Sequence, residues 1–394
     1  MANRNAHALL SSSGAHRWLA CPPSARLEAQ FPDTASESAQ EGTFAHEWAE
    51  LILRNFNREI SDEELKAKQE LLKSGKSKFG DFYSPSMEEY VDEYTSFVME
   101  KYYDGLERDK GAVLLLEQRL DFSKWVPEGF GRGDALIVAD GLLEVIDLKY
   151  GRSVQVQAEN NPQIRLYALG AYSENAWLYD IKAVRMTIMQ PRNGGESCEE
   201  MSIKDLLAWG DSIKPIAEQA FEGKGEFHAG EQCRFCRAAV QCKTLATYEL
   251  EIEKHERKDP NLLTDADISD ILMRAEGLTS WLNRIKAYAL NEAVDEGHSF
   301  PGFKLVEGRS SRKILDTDAA EKILLAADYT SEQIHKPQEL LTITGFEKLM
   351  GKKRMAELLG PVIDKPPGKP TLVPESDPRP AWNSAQEDFE PIPF

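Results

Sequence analysis

The residues of this 394-residue chain that could do chemistry gather between Gly131 and Tyr167. The stretch reads Gly-Arg-Gly-Asp-Ala-Leu-Ile-Val-Ala-Asp-Gly, then Leu-Leu-Glu-Val-Ile-Asp-Leu-Lys-Tyr-Gly-Arg, and later Asn-Pro-Gln-Ile-Arg-Leu-Tyr. Asp134, Asp147 and Lys149 stand out. Two carboxylates and an amine brought together suit a hard cation with an electrophilic or basic partner, the needs of phosphodiester hydrolysis. An Asp-x-Lys triplet alone is more often a surface ion pair than a site. Here, however, Asp147 and Lys149 interrupt an apolar run, where an unneutralised charge would be costly.

The pattern also predicts the elements that must position these groups. Two apolar runs meet at Asp140-Gly141, a strong two-residue hairpin signal. The first strand then carries Asp134 near its start. On the second, Asp147 and Lys149 share one face, while Glu144, Ile146 and Leu148 share the other. A helix follows in which Gln163 and Tyr167, four apart, lie side by side. Residues 113–120 read as the first strand of the sheet, with Glu117 facing either the site or the sheet edge. A strand over 177–190 and a helix over 203–222 come after the Gln163 helix. Upstream, Gly42-Thr43-Phe44-Ala45-His46 opens a helix capped by Thr43, with His46 and Glu50 on one face. Residues 87–103 form a longer helix whose Tyr90, Tyr94 and Phe97 are spaced for core packing.

A second constellation lies at Cys233, Cys236 and Cys242. Three thiols at C-x2-C-x5-C need a fourth ligand for a closed tetrahedral or cluster site. Of the two other cysteines, Cys198 sits in an acidic stretch read as a loop. Cys21, beside prolines at the end of a short N-terminal helix, is the better fourth ligand. His228 is the substitute for a zinc site should Cys21 lie far away.

Asp134, Asp147, Lys149, Gln163 and Tyr167, in this order, resemble the active site of the PD-(D/E)XK nuclease superfamily, in particular its RecB-like branch. Gly-Thr-x-x-His at 42–46 looks like that branch's first motif, in which the His lies beside the metal. The resemblance implies an α/β restriction-endonuclease-like core, a mixed central sheet flanked by helices. It further implies Mg²⁺ or Mn²⁺ held by Asp134, Asp147, His46 and the Leu148 carbonyl, with Lys149, Gln163 and Tyr167 as catalytic partners. One cysteine before this core and three after it resemble the iron–sulfur nucleases, among them CRISPR-adaptation exonucleases and AddB. There a 4Fe-4S cluster ties the two ends of the chain together. Cys21, Cys233, Cys236 and Cys242 would hold it here, with Zn²⁺ as the alternative. The implied activity is a metal-dependent deoxyribonuclease, an exonuclease, in phage or prophage recombination, replication or repair. The alternative is a DNA-binding or recombination scaffold with a vestigial site. Trp-Leu-Ala-Cys-Pro at 18–22, Gly-Phe-Lys-Leu-Val-Glu-Gly-Arg at 302–309 and Lys-Pro-Pro-Gly-Lys-Pro-Thr-Leu-Val-Pro at 365–374 are similar to a phage and prophage protein family, and name no chemistry.

Composition limits the partners. Charged residues at 29% and hydrophobic ones at 41% indicate a soluble globular protein. No apolar stretch approaches the ~20 residues that cross a bilayer. With no signal-peptide core at the start and only five cysteines, the expectation is cytoplasmic, without a disulfide scaffold. A net charge of −19 argues against tight, indiscriminate duplex binding. DNA would have to be met by a local groove, for which Arg132, Lys149, Arg152 and Arg165 are the nearby cations in sequence.

Three segments are expected. Residues 1–248 form the nuclease domain, with a helical N-terminal insertion, closed by the four cysteines. Residues 249–364 form a helical extension with a short strand near 302–307. Its Gly351-Lys-Lys-Arg turn starts a helix and reads as a solvated basic face or a contact for a DNA backbone. Nine of the last 34 residues are proline, so 365–394 read as an extended, disordered tail. Its end, Phe-Glu-Pro-Ile-Pro-Phe394, looks like the C-terminal tip of bacterial single-stranded DNA-binding proteins. That implies capture by the host receptors of such tips or by phage recombination and replication proteins.

Overall fold

The computed structural model describes residues 8–32, 37–74, 82–152, 154–250, 264–306, 316–327, 330–331 and 340–364. The proline-rich tail and its Phe394 lie outside the described residues, as do 251–263 and 307–315. Five strands build one mixed sheet in sequence order: β1 (Val113–Asp121), β2 (Phe130–Ala139), β3 (Gly141–Leu148), β4 (Ile181–Gln190) and β5 (Gly195–Ser202). All neighbours are antiparallel except β3 and β4, which run parallel. A parallel pair needs a crossover, and α6 (Pro162–Asn175) supplies it. The Asp140-Gly141 hairpin forms as its residues require, with Gly141 at φ 86 and Ala139 facing Leu142.

Helices cover both faces. α1 (Ala15–Ala20), α6 and α7 (Ile203–Glu222) pack on the side of Leu136, Val138, Leu143 and Val145. On the other side α3 (Glu37–Phe56) and α5 (Pro85–Arg108) pack against Leu114, Leu116, Ile137 and Ile146. β3 is apolar on both faces because both are covered, which explains its unbroken run rather than an alternation. Of the two acids buried in this strand, Glu144 and Asp147, Glu144 meets Arg185 at 3.5 Å and Arg108 at 3.8 Å.

Several sequence expectations shift. α3 starts at Glu37 rather than at Thr43, whose hydroxyl instead bonds the Ala39 carbonyl (3.0 Å) inside the helix. Residues 177–180 precede β4, and Trp177 is exposed. Cys198 belongs to β5, not to a loop; its neighbours alternate between half-buried and exposed, as on an edge strand. Residues 303–306 form no strand: Phe303, Leu305 and Val306 are exposed and no sheet edge is paired with them.

The C-terminal helices are α8 (Lys243–Leu250), α9 (Asp265–Asp295), α10 (Thr317–Ala326), α11 (Ile343–Met350) and α12 (Lys352–Leu359). The extension is not detached from the core. α11 packs on α5, and Glu89 of α5 accepts from the Lys352 and Lys353 backbone N–H groups at the start of α12 (2.6 and 3.1 Å). A carboxylate from the same chain thus satisfies two of the free N–H groups at the start of α12.

Gly170 shows how closely α6 approaches the sheet. A Cβ there would lie 2.9 Å from the Leu120 Cβ and 3.2 Å from that residue's carbonyl carbon. Gly170→Ala should therefore lower stability by about 1–3 kcal/mol, although alanine is the better helix former by roughly 1 kcal/mol. Urea denaturation at constant m-value measures it, and a stabilised variant would contradict the packing.

Candidate metal centre

The central irregularity of the sheet builds the site. The β1–β2 ladder pairs Leu116 with Ala135 and Gln118 with Gly133, but skips Glu117 and Asp134. Glu117 is left-handed there, at φ 52, a conformation that costs a non-glycine residue about 1–3 kcal/mol. Strict alternation would put Asp134 on the face of Leu136 and Val138. The skipped step turns it, together with Glu117, toward α3 and α5.

Asp134 then serves two neighbours. Its Oδ2 accepts the Leu148 N–H (2.7 Å), continuing β2–β3 pairing beyond the last backbone pair. Its Oδ1 lies 3.4 Å from the His46 Nδ1. Ligand atoms of His46, Glu117 and Asp134 all lie within 4.8 Å of one another. The cavity they line also receives Glu50, one turn beyond His46 on α3, and Tyr94 from α5. The Tyr94 hydroxyl is buried and lacks a hydrogen-bond partner among the described residues. Tyr94 follows the core-packing spacing of α5, so nothing in the sequence separates its hydroxyl from a packing ring.

Asp147 and Lys149 meet as the alternation predicts, Nζ to Oδ2 at 2.8 Å. On α6, Gln163 Nε2 donates to the Tyr167 hydroxyl at 3.2 Å. Asn161 caps this helix by accepting from the Gln163 and Ile164 N–H groups, and Pro162 occupies its first turn. Gly131 makes room for Tyr167, since a Cβ there would lie 2.5 Å from the ring. The field of Asp147 reaches both Tyr167 and Lys149, so the two halves of the site are one electrostatic unit.

Arg165 does not join them. It lies two positions from each of Gln163 and Tyr167 and turns to β5, where its Nε donates to Glu199 (2.9 Å). Arg132 pairs loosely with Glu117 (3.6 Å) and is largely exposed, and Arg152 is exposed.

Burial and neighbours set the proton affinities. Burial, then the Asp134 and Glu50 charges, push the Glu117 carboxyl up to about 7. Burial opposes charge on His46, but Asp134 outweighs it and raises the imidazole to about 9. Burial raises Asp134 too, yet His46 and the Leu148 N–H prevail and hold it below its ordinary value. For Asp147 burial wins over Lys149 and the carboxyl is raised. Lys149 is itself raised, since Asp147 more than offsets the burial of its ammonium.

The second constellation comes together as well. Cys21, Cys233, Cys236 and Cys242 line one cavity with His228, whose backbone N–H contacts the Cys21 sulfur (3.5 Å). Cys21 thus shares its cavity with the three thiols of the later stretch. All five cysteines are free thiols. Burial raises the thiols of Cys21, Cys233 and Cys236, the last to about 12, so the thiolate form needs a cation at hand. Cys198 lines a different part of the fold, opposite Thr187 on β4.

Fold and site define an α/β protein with a histidine–carboxylate pocket at a break in a mixed sheet. Residues 7–380 match the family described as "Protein of unknown function (DUF2800)", and the chain belongs to that family. A solved structure described as "Crystal structure of SSO0001" is similar at 17% identity, over 40% of this chain and 78% of that one, with a TM-score of 0.21. No helix among the described residues is long and apolar enough to cross a membrane.

The raised groups give the metal-free protein a pH signature. Glu117 binds its proton more tightly folded (about 7) than at its ordinary 4.5, so stability falls as pH rises through that window. His46, raised from 6.5 to about 9, extends the fall on the alkaline side. In a chelator, the melting temperature should therefore decline from about pH 5 to pH 9, and Glu117→Gln should flatten the lower half of the decline. A wild-type profile no steeper than that of Glu117→Gln between pH 5 and 7 would refute the assignment.

Proposed function

We propose that this chain is a metal-dependent deoxyribonuclease of the RecB-like PD-(D/E)XK type, an exonuclease serving phage recombination, replication or repair. One observation carries the reading. Residues 46, 134, 147, 149, 163 and 167, matched to that active site by type and order alone, converge from two helices and a hairpin on one end of the sheet. The donor set of Glu117, Asp134 and His46, two acids and one imidazole, fits Mg²⁺ or Mn²⁺. Asp134, Asp147 and His46 would hold the ion, with Glu117 beside them and the Leu148 carbonyl as a further oxygen. A divalent cation held there would lower the pKa of a bound water and offset charge on the phosphate oxygens.

The protein's own groups divide the remaining work. Lys149 is held charged by Asp147, so it orients the water and stabilises charge on the phosphate rather than removing a proton. Gln163 and Tyr167 support each other and face the same charges, which suits them to hold a phosphate oxygen or the Lys149 ammonium. Asp147→Asn or Lys149→Ala should each cut Mg²⁺-dependent degradation of end-labelled DNA by about 10²–10³-fold or more, with the far-UV circular dichroism of the wild type. Unchanged rates in both variants would sink the nuclease. A wild type inert on single- and double-stranded DNA with either cation would favour the scaffold reading.

For the thiols we propose a 4Fe-4S cluster. Cys21, Cys233, Cys236 and Cys242 line one cavity, and four thiolates are the ligand set that such a cluster takes, with a single tetrahedral zinc as the alternative. Anaerobic purification with iron, sulfide and zinc assays decides it. A colourless, zinc-loaded protein rejects the cluster.

A further inference from the structure

We propose that α9 is the clamp of the thiol site, with Arg284 as a positioning residue that fixes the Cys233–Cys236 turn in its metal-ligating shape. Loading of the metal group and docking of α9 are then one coupled event. The inference rests on the reading that the four cysteines hold a metal group, and it assigns a task to a helix that this reading leaves unused.

The Cys233–Cys236 turn is short. It is a single 3-10 turn over Glu231–Phe235, followed by loop, in which the Cys233 and Cys236 carbonyls each accept one backbone N–H, from Cys236 (3.2 Å) and Ala239 (3.3 Å), and keep a second lone pair for another donor. Three carbonyls of the turn converge on one guanidinium. Arg284 Nη1 donates to the carbonyls of Cys233 and Arg234, both at 3.2 Å, and Nη2 donates to that of Cys236. Only arginine offers several N–H donors in a rigid, always-charged fork that can span three oxygens at once. A positive charge fixed behind the carbonyls of two cysteines also favours thiolates in front of them.

The rest of the α9 seam repeats the pattern along one helical face. Trp281, three residues earlier, is buried and its Nε1 donates to the Ala239 carbonyl (3.1 Å). Tyr288, one turn later, meets the Gln241 amide at 2.6 Å. Leu278 and Ile285 fill the gaps against the cluster that contains Cys233, Cys236 and Cys242. Positions 278, 281, 285 and 288 are a single stripe. Trp281 is the one buried residue of the 31-residue helix, so α9 depends on the cysteine turn as much as the turn depends on α9. Ligand-supporting contacts of this kind change metal affinity by about 10–100-fold when removed.

The test uses full-length wild type, Arg284→Ala and Arg284→Lys, purified anaerobically and loaded with iron and sulfide, or with zinc. Metal release to a chelator is followed by absorbance, and hydrogen exchange of residues 278–288 is compared before and after removal. Release should be about tenfold faster or more in both variants, because an ammonium cannot bridge three carbonyls. In wild type, exchange of 278–288 should rise when the metal leaves. Should Arg284→Ala fail to fold, Arg284→Lys makes the same comparison. Release at the wild-type rate in the folded variants, or α9 exchange indifferent to the metal, overturns the clamp alone. A wild type that binds neither iron nor zinc overturns the thiol reading, and the clamp with it.

Discussion

The candidate site depends on one carboxylate that completes a β-ladder. Asp134 stands where the β1–β2 pairing skips a step, and its Oδ2 takes the Leu148 N–H. That contact extends the β2 edge of β3 to its last residue, while the β4 ladder holds the other edge in register through Asp147 and Leu148. The other oxygen faces His46, so the same group links the sheet to α3. A buried carboxylate with two such partners is stable only while both remain, since either one lost leaves charge in a low-dielectric setting.

The strain at Glu117 belongs to the same device. A left-handed glutamate inside a strand opposes folding, and its carboxyl is then held among two further acids. Such groups are tolerated where a ligand offsets them, and a cation among Glu117, Asp134 and His46 would do so. The buried Tyr94 hydroxyl points into the same cavity without a partner, a second polar atom that the packing alone leaves unsatisfied. The pocket thus pairs backbone strain with an unsatisfied polar atom.

The thiol cavity solves a different problem at the other end of the chain's path. α1 ends at Cys21 and the remaining three thiols follow α7, so the cavity ties the N-terminal segment to the chain after the sheet is complete. α9 and the α11–α12 pair then return to the core at separate places, the cysteine turn and α5. Both anchors combine apolar packing with polar contacts to backbone groups, and the extension still leaves many hydrophobic side chains exposed.

The local pattern alone determined much of this. Alternation and the Asp140-Gly141 turn placed Asp147 beside Lys149, helical spacing joined Gln163 to Tyr167, and of the two remaining cysteines the pattern pointed to Cys21, which lines the cavity of the other three. These are relations between residues close in sequence or rare in type, and period and turn chemistry fix them. Tertiary structure decided the rest. Strict alternation aims Asp134 at the wrong face; only the left-handed Glu117 and its partner strand turn it toward His46. Arg165 looked like part of a basic groove until β5, itself unread in an acidic stretch, supplied Glu199. Tyr94 and Arg284 carried no signal at all, because their significance lies in what arrives from distant parts of the chain: an empty hydrogen-bonding position in one case, three converging carbonyls in the other.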